Sequence, residues 1–404
     1  MRTITVIAKF LVLFHLSAQQ DVAVLRAHVE ALSSPKMEGR RAGTEGEMLA
    51  AQYIKSQFQS IGLTPLTPRY YQSFSIPSAQ DSLDTQKNSL TAKNVIGYID
   101  NDKEKTIVIG AHYDHLGTGF HVASREGETA GKIHYGADDN ASGVALMLSL
   151  ANYFEQNDIQ ESTNFVFIAF SAEEIGLIGS KYWCANSGFD MKSIKAMINL
   201  DMVGRLDPAT KELFVFGTGT SNRWNDLLDQ HNSRFALVKD SSGIGPSDHA
   251  SFYLENIPAV HFFTGQHEDY HTSTDTYEKI NYHGMLELHQ YLIHVIDDIS
   301  QEEDMTFLPT KNKMQTKRTK LKVTLGIMPS YGYHGPGLKV DAVIDGKPAA
   351  LSGMQDGDII LTMNGQDIAD IYTYMEVLSE RTPGEQMEVI VKRNDKKVLL
   401  TINL

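Results

Sequence analysis

Apolar positions recur at helical spacing from Val22 to Leu32 and again from Glu47 to Ile61, where Gly62 supplies a C-terminal stop. GRRAGTEG between them reads as a turn-rich loop. From Thr106 the rhythm changes to short apolar runs alternating with helical stretches. Strands are predicted over Thr106 to Ala111, Asn164 to Phe170 and Ala196 to Leu200, with helices from about Ala141 to Phe154 and near Ser180. Glu212 to Phe216 and Ala259 to Phe263 add strands, and Trp224 to His231 and Tyr282 to Ile299 add helices. Strands separated by helical crossovers predict an α/β fold: a doubly wound, mostly parallel sheet flanked by helices. The segment from Leu66 to Lys93, rich in Ser, Thr, Gln and Pro, is expected to wrap the surface.

The pattern breaks near Gln301. Residues 301–320 are polar and charged without periodicity, with Lys311, Lys313, Lys317, Arg318 and Lys320, and read as a linker. Beyond it, residues 321–404 form a second, smaller domain with a strand over Ile359 to Met363 and a helix near Ile371 to Leu378. The main body is placed at residues 22–300. At the other end, Arg2 and Lys9 precede an apolar run, Phe10 to Leu16, and then Ser17-Ala18, the layout of a cleavable secretory signal over residues 1–18. A secreted or periplasmic location is expected.

Composition narrows the partners. A length of 404 residues with 42% hydrophobic content supports a substantial core and two domains. A formal charge of -14 gives no electrostatic footprint for nucleic acid or an anionic membrane, and no stretch past the signal approaches a spanning helix. The single cysteine, Cys184, excludes an internal disulfide and reads as small apolar packing beside Trp183.

The candidate chemistry lies in five short motifs: HYDH, GADDNASG, SAEE, NLDMVG and DYHTSTD. Asp139, Glu174 and Asp201 supply the negative charge that two neighbouring divalent cations require, and His112 and His271 add imidazole nitrogens. Mixed nitrogen and oxygen donors favour zinc over calcium or magnesium, so two zinc ions per chain are expected, with other divalent ions as substitutes. Most of these residues fall just past predicted strand ends, where open α/β sheets bind ligands. Adjacent carboxylates point in different directions, which suits Glu174 to a metal and Glu173 to a water as general base. Asp114, two residues beyond His112, is placed to orient its imidazole. His115, His267 and Asp269 read as neighbours or loop residues.

As a set, in order and spacing, these motifs resemble the co-catalytic di-zinc aminopeptidase family, whose relatives include glutamate carboxypeptidases and glutaminyl cyclases. The resemblance covers roughly Leu25 to Ile299. It implies a zinc exopeptidase-like fold and peptide substrates cleaved from the N-terminus. It makes Asp139 the bridging ligand, His112 and Asp201 the rest of one metal shell, and Glu174 and His271 the rest of the other. It also implies a cis peptide bond between Asp139 and Asn140, a hydrogen bond from Tyr270 to the tetrahedral oxyanion, and a pocket-shaping role for SDHASF. A glutaminyl cyclase, a glutamate-type carboxypeptidase and an inactive peptide-binding adaptor are the alternatives. The stretch from Leu325-Gly326-Ile327-Met328 through SGMQDGDIILTMNG resembles a PDZ domain of the bacterial protease-associated type. That resemblance implies an α+β domain that captures a C-terminal peptide by strand addition beside Leu325, Gly326, Ile327 and Met328.

Overall fold

The computed structural model describes residues 19–77, 89–119, 121, 123–126, 131–303, 305–310, 322–329, 333, 335–344, 346–369 and 371–404. The expected signal segment and most of the expected linker lie outside these residues. Among the described residues no helix is long and apolar enough to cross a membrane. The chain divides into two compact units, one of Met1–Ala123 with Ala130–Thr310 and one of Ser124–Thr129 with Lys311–Leu404.

The larger unit opens with helix α1 over residues 19–32 and α2 (Glu45–Ile61). The α2 helix starts where the Thr44 side chain accepts from the Glu47 amide, and it ends at Gly62, whose φ of 108° lets its N–H reach the Phe58 carbonyl. Strands β1 (Thr64–Pro65), β2 (Tyr71–Pro77), β3 (Ser89–Ile99) and β4 (Thr106–His112) follow. The remainder alternates: α3 (Gly143–Gln156), β5 (Asn164–Phe170), α4 (Ile178–Asn186), β6 (Ile194–Leu200), β7 (Glu212–Phe216), α5 (Trp224–Gln230), β8 (Ala236–Lys239), α6 (His249–Leu254), β9 (Ala259–Phe263) and α7 (Tyr282–Gln301).

These strands form a single sheet in the order β1-β3-β5-β4-β6-β9-β7-β8, with β2 also on β3. The centre, β5-β4-β6-β9, is parallel, as crossover connections demand. Both flanks are antiparallel where β3 joins β5 and where β7 joins β9, so the doubly wound pattern describes the centre of a mixed sheet. Every residue of β4 and β5 is buried, because helices cover both faces. Ile107, Ile109, Phe165 and Phe167 pack under α2, α3 and α7. Val108, Val166, Ile168 and Phe170 face Trp183 of α4 and Phe252 of α6, whose rings stack at 5.3 Å.

The segment expected to wrap the surface instead supplies β2 and the start of β3, paired antiparallel from Tyr71 with Val95 to Pro77 with Ser89. Phe74, Ile76 and Ala92 alternate inward onto Ala172, burying a small satellite core that the polar composition conceals. Cys184 is buried, and burial pushes its thiol up, consistent with packing rather than reactivity.

The smaller unit contains β10 (Ile327–Pro329), β11 (Leu338–Val343), α8 (Pro348–Leu351), β12 (Ile359–Met363), β13 (Gln366–Asp367), α9 (Ile371–Ser379), β14 (Gln386–Arg393) and β15 (Lys396–Asn403). Its sheet is antiparallel throughout, in the order β10-β11-β12-β14-β15, with β13 on β12. Leu338, Val340, Ile360, Val389, Val391 and Ile402 share its core with Val377 and Leu378 of α9.

Candidate active site

The parallel centre brings the C-terminal ends of β4, β5, β6 and β9 to one edge, and the proposed ligands sit there. His112 is the last residue of β4, Glu173 and Glu174 follow β5 after Ser171 and Ala172, and Asp201 follows β6. His271 lies in the loop after β9, and Asp139 lies in the turn Ala137–Ser142 that feeds α3. The peptide bond between Asp139 and Asn140 is cis.

Asp139 divides its carboxylate between two clusters. Its Oδ1 is 3.3 Å from His112 Nε2, which is also 3.2 Å from Asp201 Oδ1. Its Oδ2 is 3.1 Å from His271 Nε2, which is also 3.2 Å from Glu174 Oε2. On this second side His115 Nδ1 lies 2.8 Å from Glu174 Oε1 and 3.6 Å from Asp139 Oδ2. His112, Asp139 and Asp201 could hold one metal ion, and His115, Asp139 and Glu174 could hold another.

The electrostatics fit cations. Burial opposes charge on both His112 and His271, yet the surrounding carboxylates hold each imidazole well above its usual range. Burial likewise works to raise Asp139 and Glu174, but neighbouring imidazoles hold Asp139 well below the carboxylate range and Glu174 at about 2. A buried cluster anionic enough to keep protons on two imidazoles is one that divalent ions would neutralise. Donor separations of 3.1 to 3.3 Å also suit the edge of a tetrahedron around zinc, roughly 3.3 Å for bonds near 2.0 Å.

Glu173 stands apart from these pairings. Burial and the like charges of Glu174 and Asp201 push its carboxyl well above the usual range, against the pull of His112. Its amide is held by Asp114 Oδ1 at 3.0 Å. That contact alters the expected role of Asp114: its carboxylate is 3.8 Å from His112 Nδ1, beyond hydrogen-bond reach, while its backbone carbonyl is at 3.2 Å. The main chain is therefore the nearer partner of the His112 ring. Tyr270 stacks on His271 with ring centroids 3.8 Å apart. His267 and Asp269 lie outside the clusters, His267 facing Asp138 at 3.1 Å and Asp269 pairing with Arg205 and Lys279.

Several supporting residues carried no individual role in the sequence, although Ser247 lies in SDHASF and Asp275 closes DYHTSTD. Ser247 donates to Asp201 Oδ2 at 2.7 Å and accepts from Asn199 Nδ2 at 2.7 Å, leaving Asp201 Oδ1 to the cluster. The Asp275 carboxylate takes the amides of Asp138 and Asp139. Arg40, fully buried, donates to the carbonyls of Leu32, Tyr113, Tyr135 and Gly136 and so ties the end of β4 to the loop before Asp139. Burial lowers its guanidinium to about 10, so it remains a fixed positive charge behind the carboxylates. Glu47 accepts from Gly43, Lys93, Tyr113 and Ser171.

An α/β sheet with carboxylate and imidazole clusters at its C-terminal edge defines a candidate metallohydrolase. Residues 94–296 match Peptidase family M28, and the chain belongs to that family. Residues 311–404 match the PDZ domain. Aminopeptidase YwaD of Bacillus subtilis (strain 168) is 32% identical over 212 residues, 47% of this chain and 41% of that protein. A probable leucine aminopeptidase of Trichophyton verrucosum (strain HKI 0517) is 27% identical over 211 residues, 50% of this chain and 55% of that protein. The matched stretch thus spans about half the length of these curated relatives or less. Among solved structures, BSAP, a zinc aminopeptidase from Bacillus subtilis, shares the fold with a TM-score of 0.57 at 20% identity, covering 72% of this chain and 98% of that one.

In the smaller unit β10 lies at the edge of the sheet. Leu325 is fully buried in the core, so its side chain anchors the preceding loop, and Gly326 has a φ of 72°. A Cβ on Gly326 would come within 2.1 Å of Lys347 Cβ, so this turn requires glycine. Ile327 is half-buried, and the Met328 side chain lies outside the described residues.

Proposed function

We propose that the larger unit is a zinc aminopeptidase that releases N-terminal residues from peptides. The carrying observation is the division of the Asp139 carboxylate between two clusters, Oδ1 toward His112 at 3.3 Å and Oδ2 toward His271 at 3.1 Å. On this reading His112, Asp139 and Asp201 hold one ion, and Asp139, Glu174 and His271 hold the other. Bound zinc would lower the pKa of a shared water, polarise the scissile carbonyl and offer a place for the substrate's free amine.

The chain supplies the proton transfers. Glu173 takes a proton from the attacking water as the new C–O bond forms, and returns it to the amine nitrogen as the C–N bond breaks. Its raised carboxyl suits both halves of that exchange, and Asp114 fixes its backbone position. Tyr270 lies beside His271, where its hydroxyl would stabilise the oxyanion. Recognition of a free substrate carboxylate would need an unengaged cation. Arg205 pairs with Asp269 and Arg223 with Glu302, so neither of these two is unengaged. The β10 edge would receive a C-terminal peptide as an added strand. The similarity to Aminopeptidase YwaD and to a probable leucine aminopeptidase supports the same substrate class.

The test compares unblocked and N-acetylated peptides with metal-stripped protein, with and without zinc. Zinc-restored release of free amino acid from unblocked peptides alone is expected, and Glu173→Gln should lower kcat roughly 10²- to 10⁴-fold. Equal cleavage of the acetylated peptides, or no loss in Glu173→Gln, would refute the proposal.

A further inference from the structure

We propose that His115 is an additional ligand of the second ion, giving that site four protein donors, His115, Asp139, Glu174 and His271, against three for the site of His112, Asp139 and Asp201. The inference rests on the two-ion reading above. The His115 side chain is completely buried, and its Nδ1 is 2.8 Å from Glu174 Oε1 and 3.6 Å from Asp139 Oδ2. These are the two carboxylates that His271 Nε2 meets from the other side at 3.2 and 3.1 Å. The two imidazoles lie edge to face with centroids 5.7 Å apart.

The ring is fixed in that position. Its backbone amide donates to the Arg40 carbonyl at 3.3 Å. Gly136 presses against the ring so closely that a Cβ there would lie 2.6 Å from His115 Cδ2. Nε2 has no hydrogen-bond partner, which leaves Nδ1 as the engaged nitrogen.

A consequence separates this arrangement from a symmetric pair of ions. Four protein donors would hold an ion more firmly than three, and expansion to a fifth position would still admit the shared water. The His115 site should therefore fill first and release its ion last, and the His112 site should be the exchangeable one.

Cobalt titration of the metal-stripped full chain tests this, because cobalt shifts the exchangeable N–H signals of ligated imidazoles in proton NMR. The expected result is two ions bound per chain, with two such signals after the first equivalent, from His115 and His271, and a third after the second, from His112. His115→Ala should lose one early signal and weaken the first binding step by about 10- to 100-fold or more. The wild-type signal count stands even where that variant folds poorly, and His115→Gln provides a second replacement of similar length. Two bound ions with only one early signal, unchanged in the variants, would overturn the His115 assignment and leave the two-ion site intact. Fewer than two bound ions would defeat both.

Discussion

Glu47 tests how far the site depends on its scaffold. Its carboxylate, buried in the first turn of α2, accepts from the Gly43 amide at 3.0 Å through Oε2. Oε1 accepts from the Lys93 amide at 3.2 Å and from the Tyr113 and Ser171 hydroxyls at 2.8 Å each. Both oxygens thus face a backbone N–H, and a glutamine amide at this position has no orientation that satisfies both. Glu47→Gln should set one N–H against another and cost about 2 kcal/mol, the range of one charge-assisted hydrogen bond. Glu47→Ala strands two amides and the Ser171 hydroxyl, while Tyr113 can give its single proton to the Lys93 carbonyl at 2.7 Å, so about 4 kcal/mol is expected.

The chain's two tryptophans, Trp183 and Trp224, are both fully buried in the larger unit, so tryptophan emission during urea unfolding follows that unit alone. With a slope near 3 kcal/mol/M, the midpoints should fall by about 0.7 M for Glu47→Gln and about 1.3 M for Glu47→Ala. Because Tyr113 adjoins His112 and Ser171 lies two residues before Glu173, kcat should fall as well. A Glu47→Gln midpoint within about 0.2 M of wild type would show that the carboxylate is not clamped by these donors.

Three further outcomes are expected. Ser247→Ala should weaken metal binding at the His112 and Asp201 cluster by about 10-fold or more, read by competition with a chelator, because Asp201 loses the donor at 2.7 Å that orients it. His28 sits half-buried against the Tyr53 hydroxyl, and burial lowers it from 6.5 to about 4. The unfolded chain therefore binds this proton more readily, so stability should be full above about pH 6.5 and decline toward pH 4. The 2.5-unit difference corresponds to about 3 kcal/mol, reduced to about 1 to 2 by solvent screening, and His28→Gln should flatten that part of the stability-pH curve. In the smaller unit, Asp358→Asn breaks the paired contacts at 2.7 Å from Arg393 Nε and Nη2 and should destabilise that unit by about 2 to 3 kcal/mol. Hydrogen exchange in β12 and β14 should report the loss while the tryptophan transition stays in place.

The clustered residues were most legible where a motif follows an apolar run that is itself unmistakable. His112 ends TIVIGAH, Glu174 follows NFVFIAF, and Asp201 follows IKAMINL, so periodicity gave the element and the residue type suggested the chemistry. The β2–β3 pair was hidden because Phe74, Ile76 and Ala92 are the few apolar positions in a polar segment, and their alternation gains meaning only against Ala172. His115 differs from a bystander only by where its ring lands, which depends on Gly136, 21 positions along the numbering, and no local pattern records that approach. Glu47 was invisible for the same reason: its partners Lys93, Tyr113 and Ser171 lie 46, 66 and 124 residues away.

That dispersal along the chain bears on the protein's synthesis. The clustered side chains are contributed one at a time by β4, the turn into α3, β5, β6 and the loop after β9, so a growing polypeptide assembles the cleft only when its last contributor, His271, has left the ribosome. Until then the emerging chain carries the His112, Asp139 and Asp201 side chains without the full constellation. A product interrupted anywhere before that loop would lack His271 and with it part of the second cluster.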